Sequence, residues 1–424
     1  MTARVRLNAF FVLLMAAIGV GLAAGLPASE ILTTLKKGFG SLIEAIGIVV
    51  IAGTVLGVIL EKTGATTRMA AYLLAKAGEK NAALAISLTG FLVGLPIFCD
   101  SGFVVLSGLN RSLAGRTRTP MAVMAVSLAT GLYAVHCLVP PHPGVSAAAG
   151  LIGVDPGRLM LVGTLVAVPG AAIGYAWARF RGRDYPQLPP DPTPETEPVA
   201  GTNQLSAGRA FLPIAVPIAL IALKAVLVPG SQPPVGGYAL VGFVGDPIVA
   251  LLIGIGLALT LVRNWSGPFV NGLLTEGVDK AGPVLAIVAA GGAFGAVLKA
   301  TGIGDSLGQV LAPLQLGIFL PFIIASVLKT VQGSSTVAII TTASLVGPLF
   351  PELRLDSDWG RLLGTLAMGA GSMMVSHAND AFFWVVTRFS DLEPGVTFRV
   401  YSTATLLMGL LTQAIVFGLS LVLR

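Results

Sequence analysis

The chain has three histidines, and each stands where an apolar run is interrupted. His136 and His142 bracket the prolines of His136-Cys-Leu-Val-Pro-Pro-His-Pro-Gly144, and His377 lies in Ser376-His-Ala-Asn-Asp380. Two more interruptions carry Cys99-Asp-Ser-Gly102 and Gly333-Ser-Ser-Thr336. Gly333 permits a turn, after which Ser334, Ser335 and Thr336 open a helix. Free N–H groups and the positive dipole end attract an anion there. A carboxylate or the hydroxyls of a polyol acid suit that cradle; a plain N-cap is the competing reading. Asp100 and Asp380 fall at membrane depth, where an ionised Asp costs at least ~2.5 kcal/mol, so they must be paired, hydrated or protonated part of the time. Asp100, His136, His377 and Asp380 are the candidate proton carriers, with a structural polar network as the alternative for each. Lys329 stands just before Gly333 and is expected to pair with Asp380 or with a bound carboxylate, unless it merely snorkels. Ser101 and Asn379 would hydrogen-bond ligand hydroxyls, and His142 completes the second break.

The elements that hold such residues must be broken membrane helices. Of 424 residues, 54% are hydrophobic and 11% charged, where a soluble domain has roughly 25% charged. Mean hydropathy is +0.87. This excludes an ordinary soluble enzyme and a disordered chain. The long continuous runs also argue against an outer-membrane barrel, whose strands alternate. The net charge of +6 sits in short connections such as Arg111, Arg116 and Arg118, or Arg179, Arg181 and Arg183. That is the positive-inside bias of cytoplasmic loops rather than a nucleic-acid surface. Gly94 and Pro96 loosen the helix before Asp100, so a re-entrant helix–turn–helix is expected there, and another around Gly333. Pro140, Pro141 and Pro143 force the chain to unwind beside the histidines. Between 10 and 14 crossing or re-entrant segments are expected. Cys99 and Cys137, both in apolar runs, are expected to be reduced and packed.

Arg4 and Arg6 precede an apolar run from Leu7 to Leu26, read as a retained first helix. The Pro-rich stretch from Tyr185 to Pro198 cannot fill a bilayer and reads as a cytoplasmic linker. The expected organisation is an N-terminal helix (1–30), a first repeat (31–178), the linker (179–209) and a second repeat (210–424). Gly57-Val-Ile-Leu-Glu-Lys-Thr-Gly64 parallels Gly295-Ala-Val-Leu-Lys-Ala-Thr-Gly302, and the polar breaks follow in the same order at a similar offset. That order suggests an internal duplication, common in secondary transporters, where repeats are often inverted with the site near the midplane.

Other chemistry finds little footing. No HExxH or tight Cys/His spacing suggests a metal, no GxxxxGK[ST] loop suggests ATP, and no cofactor is expected. An intramembrane hydrolase using Ser334 or Ser335 with His377 is the alternative from a different class, but a hydrolase has no need of two related polar breaks.

Four stretches resemble the gluconate:proton symporter family, the gluconate permeases: GLPIFCDSGFVVL at 94–106, HCLVPPHPG at 136–144, VQGSSTVAIITTAS at 331–344 and GSMMVSHANDAFFWVVTRF at 371–389. Similarity runs through most of both halves and fades in the first helix and the 184–208 linker. The resemblance implies an all-α polytopic protein of a bacterial cytoplasmic membrane, with inverted repeats, paired re-entrant hairpins, discontinuous helices and an elevator-type movement. It further implies proton-coupled import of gluconate, D-serine or another small hydroxy acid, with a homodimer as the expected assembly. On this reading Asp100, Ser101, Gly333, Ser334, Ser335 and Thr336 form the hairpin tips, and His136, His142, His377, Asn379 and Asp380 line the opposing unwound segments.

Overall fold

The computed structural model of the chain describes residues 8–187, 205–227, 238–263, 265–302 and 316–423. Most of the expected Pro-rich linker lies outside the described residues. Among them every regular element is helical. Helix α1 spans Ala9–Ala23, and Leu13 and Ala17 on it pack against Ala290, Phe294 and Val297. Helix α2 runs without a break from Ala28 to Lys62, so the boundary expected at 30/31 falls inside it. At 1.5 Å per residue its 35 residues reach roughly 50 Å. This exceeds the ~30 Å hydrocarbon core, so its polar ends must project into the headgroup layer or beyond. Its partner α12, Gly267–Ala300, has 34 residues. The two cross closely at Gly38 and Gly292, where a Cβ on Gly38 would lie 2.5 Å from the Gly292 carbonyl oxygen. Small residues allow such backbone approach in a membrane. Lys62 pairs with Glu276 at 3.1 Å, and Lys280 pairs with Glu276 at 2.9 Å and Glu61 at 3.7 Å.

Between these helices come α3 (Ala65–Ala77), α4 (Ala82–Gly94), α5 (Cys99–Thr117), α6 (Met121–Leu138), α7 (Pro143–Ile152) and α8 (Pro156–Arg181). The expected repeat end at 178 therefore lies within the last turn of α8. Helix α9 (Ala207–Leu227) begins just before the expected restart at 210. A bent pair follows, α10 (Tyr238–Val244) and α11 (Pro247–Leu259), at 65°. After α12 come α13 (Phe319–Gln332), α14 (Ser335–Val346), α15 (Asp358–Met373), α16 (Ala381–Phe389), α17 (Pro394–Thr397), a π turn over Phe398–Ser402 and α18 (Thr403–Val422). Among the described residues, six helices are long and apolar enough to cross a membrane, or seven counting the bent pair. Shorter apolar helices such as Phe319–Gln332 stand beside them, because several runs are split by the breaks into pieces too short to cross alone.

The same order of elements recurs. Helices start at 28, 82, 99, 121, 143 and 156 in the first half and at 267, 319, 335, 358, 381 and 394 in the second, a separation of 236 to 239 residues each time. Helix ends gather at two opposite faces. At the first, Met121 N–H donates to the Gln187 carbonyl (2.9 Å), and Arg111 pairs with Asp391 (2.6 Å). At the second, Ile152 meets Gly347, and Arg158 lies 3.6 Å from Asp358. Helix α5 thus runs from its break to the first face, and α14 from its break to the second.

Candidate functional site

The breaks are placed by local sequence rules. Helix α4 ends at Gly94, and Leu95 to Phe98 carry the chain to Cys99. Helix α13 ends at Gly333, whose φ of +76° is left-handed, a region costly for any residue with a Cβ. A Cβ there would also run into the carbonyl of Asn379. Ser334 then caps α14, its hydroxyl accepting the Val337 N–H at 3.3 Å. The N–H groups of Ser335 and Thr336 ahead of it are the helix's open donors. Helix α6 gives out at Val139, and Pro140, Pro141 and His142 lead into α7. Helix α15 ends at Met373, and Asp380 caps α16, its Oδ1 accepting the Phe382 N–H at 3.0 Å.

The four breaks meet one another. The His142 Nε2 lies 2.7 Å from the Gly94 carbonyl oxygen, tying the second break to the first. The fourth break is tied to the third by Asn379, whose Nδ2 donates to the Thr330 carbonyl at 2.7 Å. Gly144 at the start of α7 lies against Thr336 at the start of α14. Phe103 on α5 meets Phe382 on α16 with ring centroids 6.0 Å apart.

At the centre is a buried ion pair. Lys329 Nζ donates to Asp380 Oδ2 at 2.6 Å, with the two side chains 1% and 7% exposed. The ammonium also reaches the Gly333 carbonyl at 3.3 Å and lies 5.7 Å from the centroid of the Tyr133 ring. Ser376 Oγ donates to the same Asp380 oxygen. Such dense pairing is what a buried charge requires. Of the two partners expected for Lys329, the carboxylate of Asp380 is the one it holds.

The remaining expected residues are placed as follows. Asp100 stands in the first turn of α5, exposed, with no ion pair among the described residues, though within the electrostatic reach of Asp380 and Lys329. Ser101 is half-buried and borders a cavity of about 10 Å³ together with Thr54, Pro96, Glu61 and Lys280, room for about one water. His136 is half-buried, stacks on Tyr133 (6.2 Å, 14°), meets His142 edge-on at 4.9 Å and leaves Nδ1 buried without a partner. Ser335 is buried and Thr336 half-buried. His377 is half-buried, and its carbonyl accepts the Asp380 N–H at 2.8 Å. Cys99 and Cys137 are both free and buried.

Sequence reasoning missed Tyr133, Ser372, Ser376, Ser402 and Thr405. The Tyr133 hydroxyl donates to the Ser372 carbonyl at 3.2 Å, closing α6 against α15. Ser376 receives support on both sides: its N–H donates to Thr405 Oγ1 at 3.1 Å, and its carbonyl accepts from Ser402 Oγ. Ser402 reaches it from the π turn, a distortion that often sits at functional sites. Only Ser372 and Ser376 carried a signal, being polar in or just before a break; the others come from other segments.

A sequence profile described as GntP family permease matches residues 1–422. A gluconate permease of Pseudomonas aeruginosa is 32% identical over 429 residues, covering 99% of this chain and 94% of that protein. The D-serine transporter of Escherichia coli K12 is 30% identical over 425 residues, with the same coverage of each. Among solved structures, the YdaH transporter of Alcanivorax borkumensis, reported with an unusual topology, superposes with a TM-score of 0.61 at 18% identity, over 96% of this chain and 98% of that one. That likeness bears on the fold.

Proposed function

This chain belongs to the GntP permease family, a multi-pass protein of the inner membrane and a transporter rather than an enzyme, and from that premise we propose that it imports gluconate or a related small hydroxy acid together with protons. The observation that carries the reading is the meeting of four helix breaks, two from each half, around Lys329 and Asp380. Supporting it, the N-terminal ends of α5 and α14 sit at the breaks with open N–H donors, the arrangement that holds anionic substrates in transporters built from broken helices.

The recurrence of element order at a separation of 236 to 239 residues supports a duplicated chain. The opposite directions of α5 and α14 support an inverted one. Two hairpins entering from opposite faces, with a homodimeric scaffold, suit an elevator movement of the site. Arginines 111, 116, 118, 179, 181 and 183 all belong to the first face or lead to it, so that face is the cytoplasmic one on this reading, and the linker with it.

The two aspartates take different roles. Asp380 is held by Lys329, Ser376 and the Phe382 N–H, and it braces the third and fourth breaks. Asp100 has no such partners, so it is the carrier of the coupled proton. Ser101, Asn379 and the Ser335–Thr336 helix end address the carboxylate and hydroxyls of the substrate, with His136 and His142 behind them. Purified protein in liposomes tests this: an inward proton gradient should drive gluconate accumulation, and a protonophore should abolish it. D-serine belongs in the same panel. Accumulation of neither compound, or uptake indifferent to the protonophore, removes the proposal.

A further inference from the structure

A cleft of about 480 Å³ opens at the second face, between α2, α7, α12 and α14. Its size is that of an ordinary small-molecule site. Lys299, in the last turn of α12, and Arg361, in the first turn of α15, both line it. Neither has an ion-pair partner among the described residues, whereas the nearby Arg158 has Asp358. Among the described residues Asp356 is the one carboxylate in the lining, beside the two cations Lys299 and Arg361, which gives that lining a net positive charge.

The same lining also carries hydrogen-bond acceptors, and Arg361 stands beside the end of α7 at Gly153. Helices α7 and α14 both end there, and the last carbonyls of a helix accept hydrogen bonds while repelling bare anions. Ser41 and Ser344 stand in the same lining with hydroxyl protons already given to backbone carbonyls, Ser41 to Gly38 and Ser344 to Gly291, so their oxygens face a ligand as acceptors. Two cations together with these acceptors fit a small molecule that carries both a carboxylate and hydroxyl donors. The first face has a cavity of about 440 Å³ with Arg181 and Arg399 in its lining, but Arg181 is already held by Asp184 at 2.6 Å, and Trp177, Phe180 and Phe398 make most of the rest apolar.

Building on the transport reading above, we propose that this cleft is a second, outer binding site for the hydroxy acid, in which Lys299 and Arg361 take its carboxylate before it reaches the breaks. A cleft of one charge sign concentrates its ligand and speeds capture without altering the later steps.

The test is gluconate uptake into liposomes with the second face outward. With both Lys299→Gln and Arg361→Gln, KM should rise about tenfold at low salt with the maximal rate unchanged. The wild-type KM should rise with ionic strength, and that of the double variant should not. Lys299→Arg with Arg361→Lys keeps the charge and should keep the wild-type KM. A wild-type KM and salt response in the Gln variant overturns the proposal. So does a charge-conserving variant as impaired as the Gln one, which would make the effect one of shape. If the double Gln variant fails to reach the membrane, Lys299→Gln alone, at an exposed helix end, should still raise KM; no rise refutes the site. Failure of the transport reading looks different, since the unsubstituted protein would then accumulate neither gluconate nor D-serine.

Discussion

On the proposed reading, replacing either aspartate by asparagine separates a brace from a carrier. In Asp380→Asn the Lys329 ammonium, 1% exposed, loses its only anionic partner among the described residues. Breaking a buried pair from one side costs about 3–5 kcal/mol. Part of the surroundings survives. The Gly333 carbonyl and the Tyr133 face still receive the ammonium, and the new amide oxygen still accepts the Phe382 N–H. The loss therefore falls near about 3 kcal/mol. Asp100→Asn breaks no ion pair among the described residues and should cost within about 0.5 kcal/mol of nothing. Thermal unfolding of the purified variants should thus show Asp380→Asn clearly destabilised and Asp100→Asn close to wild type. Uptake in liposomes should show the converse specificity, with well-folded Asp100→Asn losing its response to the proton gradient. Replacing the pair with Lys329→Met and Asp380→Leu together should recover part of the stability, since no charge is left stranded. An Asp380→Asn protein that melts like the wild type would mean the ion pair is no brace. An Asp100→Asn protein that still accumulates gluconate against its gradient, with normal proton dependence, would clear Asp100 of the carrier's role.

Gly333→Ala should disrupt the second hairpin, because the left-handed turn costs about 1–2 kcal/mol for a residue with a Cβ and the methyl meets the Asn379 carbonyl; the yield of folded protein reads it. Ser334→Ala with Ser335→Ala should weaken gluconate binding by roughly 1–3 kcal/mol in calorimetry; unchanged affinity removes this cradle from the site. His142→Leu leaves the Gly94 carbonyl without its partner and should lower stability by about 1–3 kcal/mol, which a melting curve measures. Arg183→Cys should react with a membrane-impermeant thiol reagent only from the cytoplasmic side, and Asp155→Cys only from outside; the reverse pattern inverts the orientation assigned to the two faces.

The breaks were legible because breakers announce themselves. Pro140, Pro141 and Gly333 cannot continue a helix at low cost, and the polar residues beside them had no reason to be in lipid except to be used. The long helix pair was legible only in part. Its apolar stretches were seen, but α2 begins at Ala28 and α12 at Gly267, well before hydropathy rises, since Lys36, Lys37, Glu276 and Lys280 sit in turns that project past the core or pair across it. The partner of Lys329 was narrowed to two possibilities, and only packing could choose. Tyr133 and Ser402 were invisible: each stands in an apolar helix or its lead-in, and reaches the centre through a contact outside its own element, Tyr133 at Ser372 239 residues away and Ser402 at Ser376 26 residues away. Periodicity reports which way a residue faces, but it is silent on what stands opposite.

The two hairpins are fastened unequally. One has its last turn clamped by the Lys329–Asp380 ion pair to the neighbouring unwound segment; the other is tied to its neighbour by the His142–Gly94 hydrogen bond, with no ion pair at Asp100 among the described residues. A mechanism with one firmly latched door and one lightly latched door has a built-in direction of ease. On the transport reading proposed above, the ion-paired hairpin would travel together with the segment it grips, and the swing that frees the cargo would fall to the lighter flap, the one whose roots lie on the arginine-rich side.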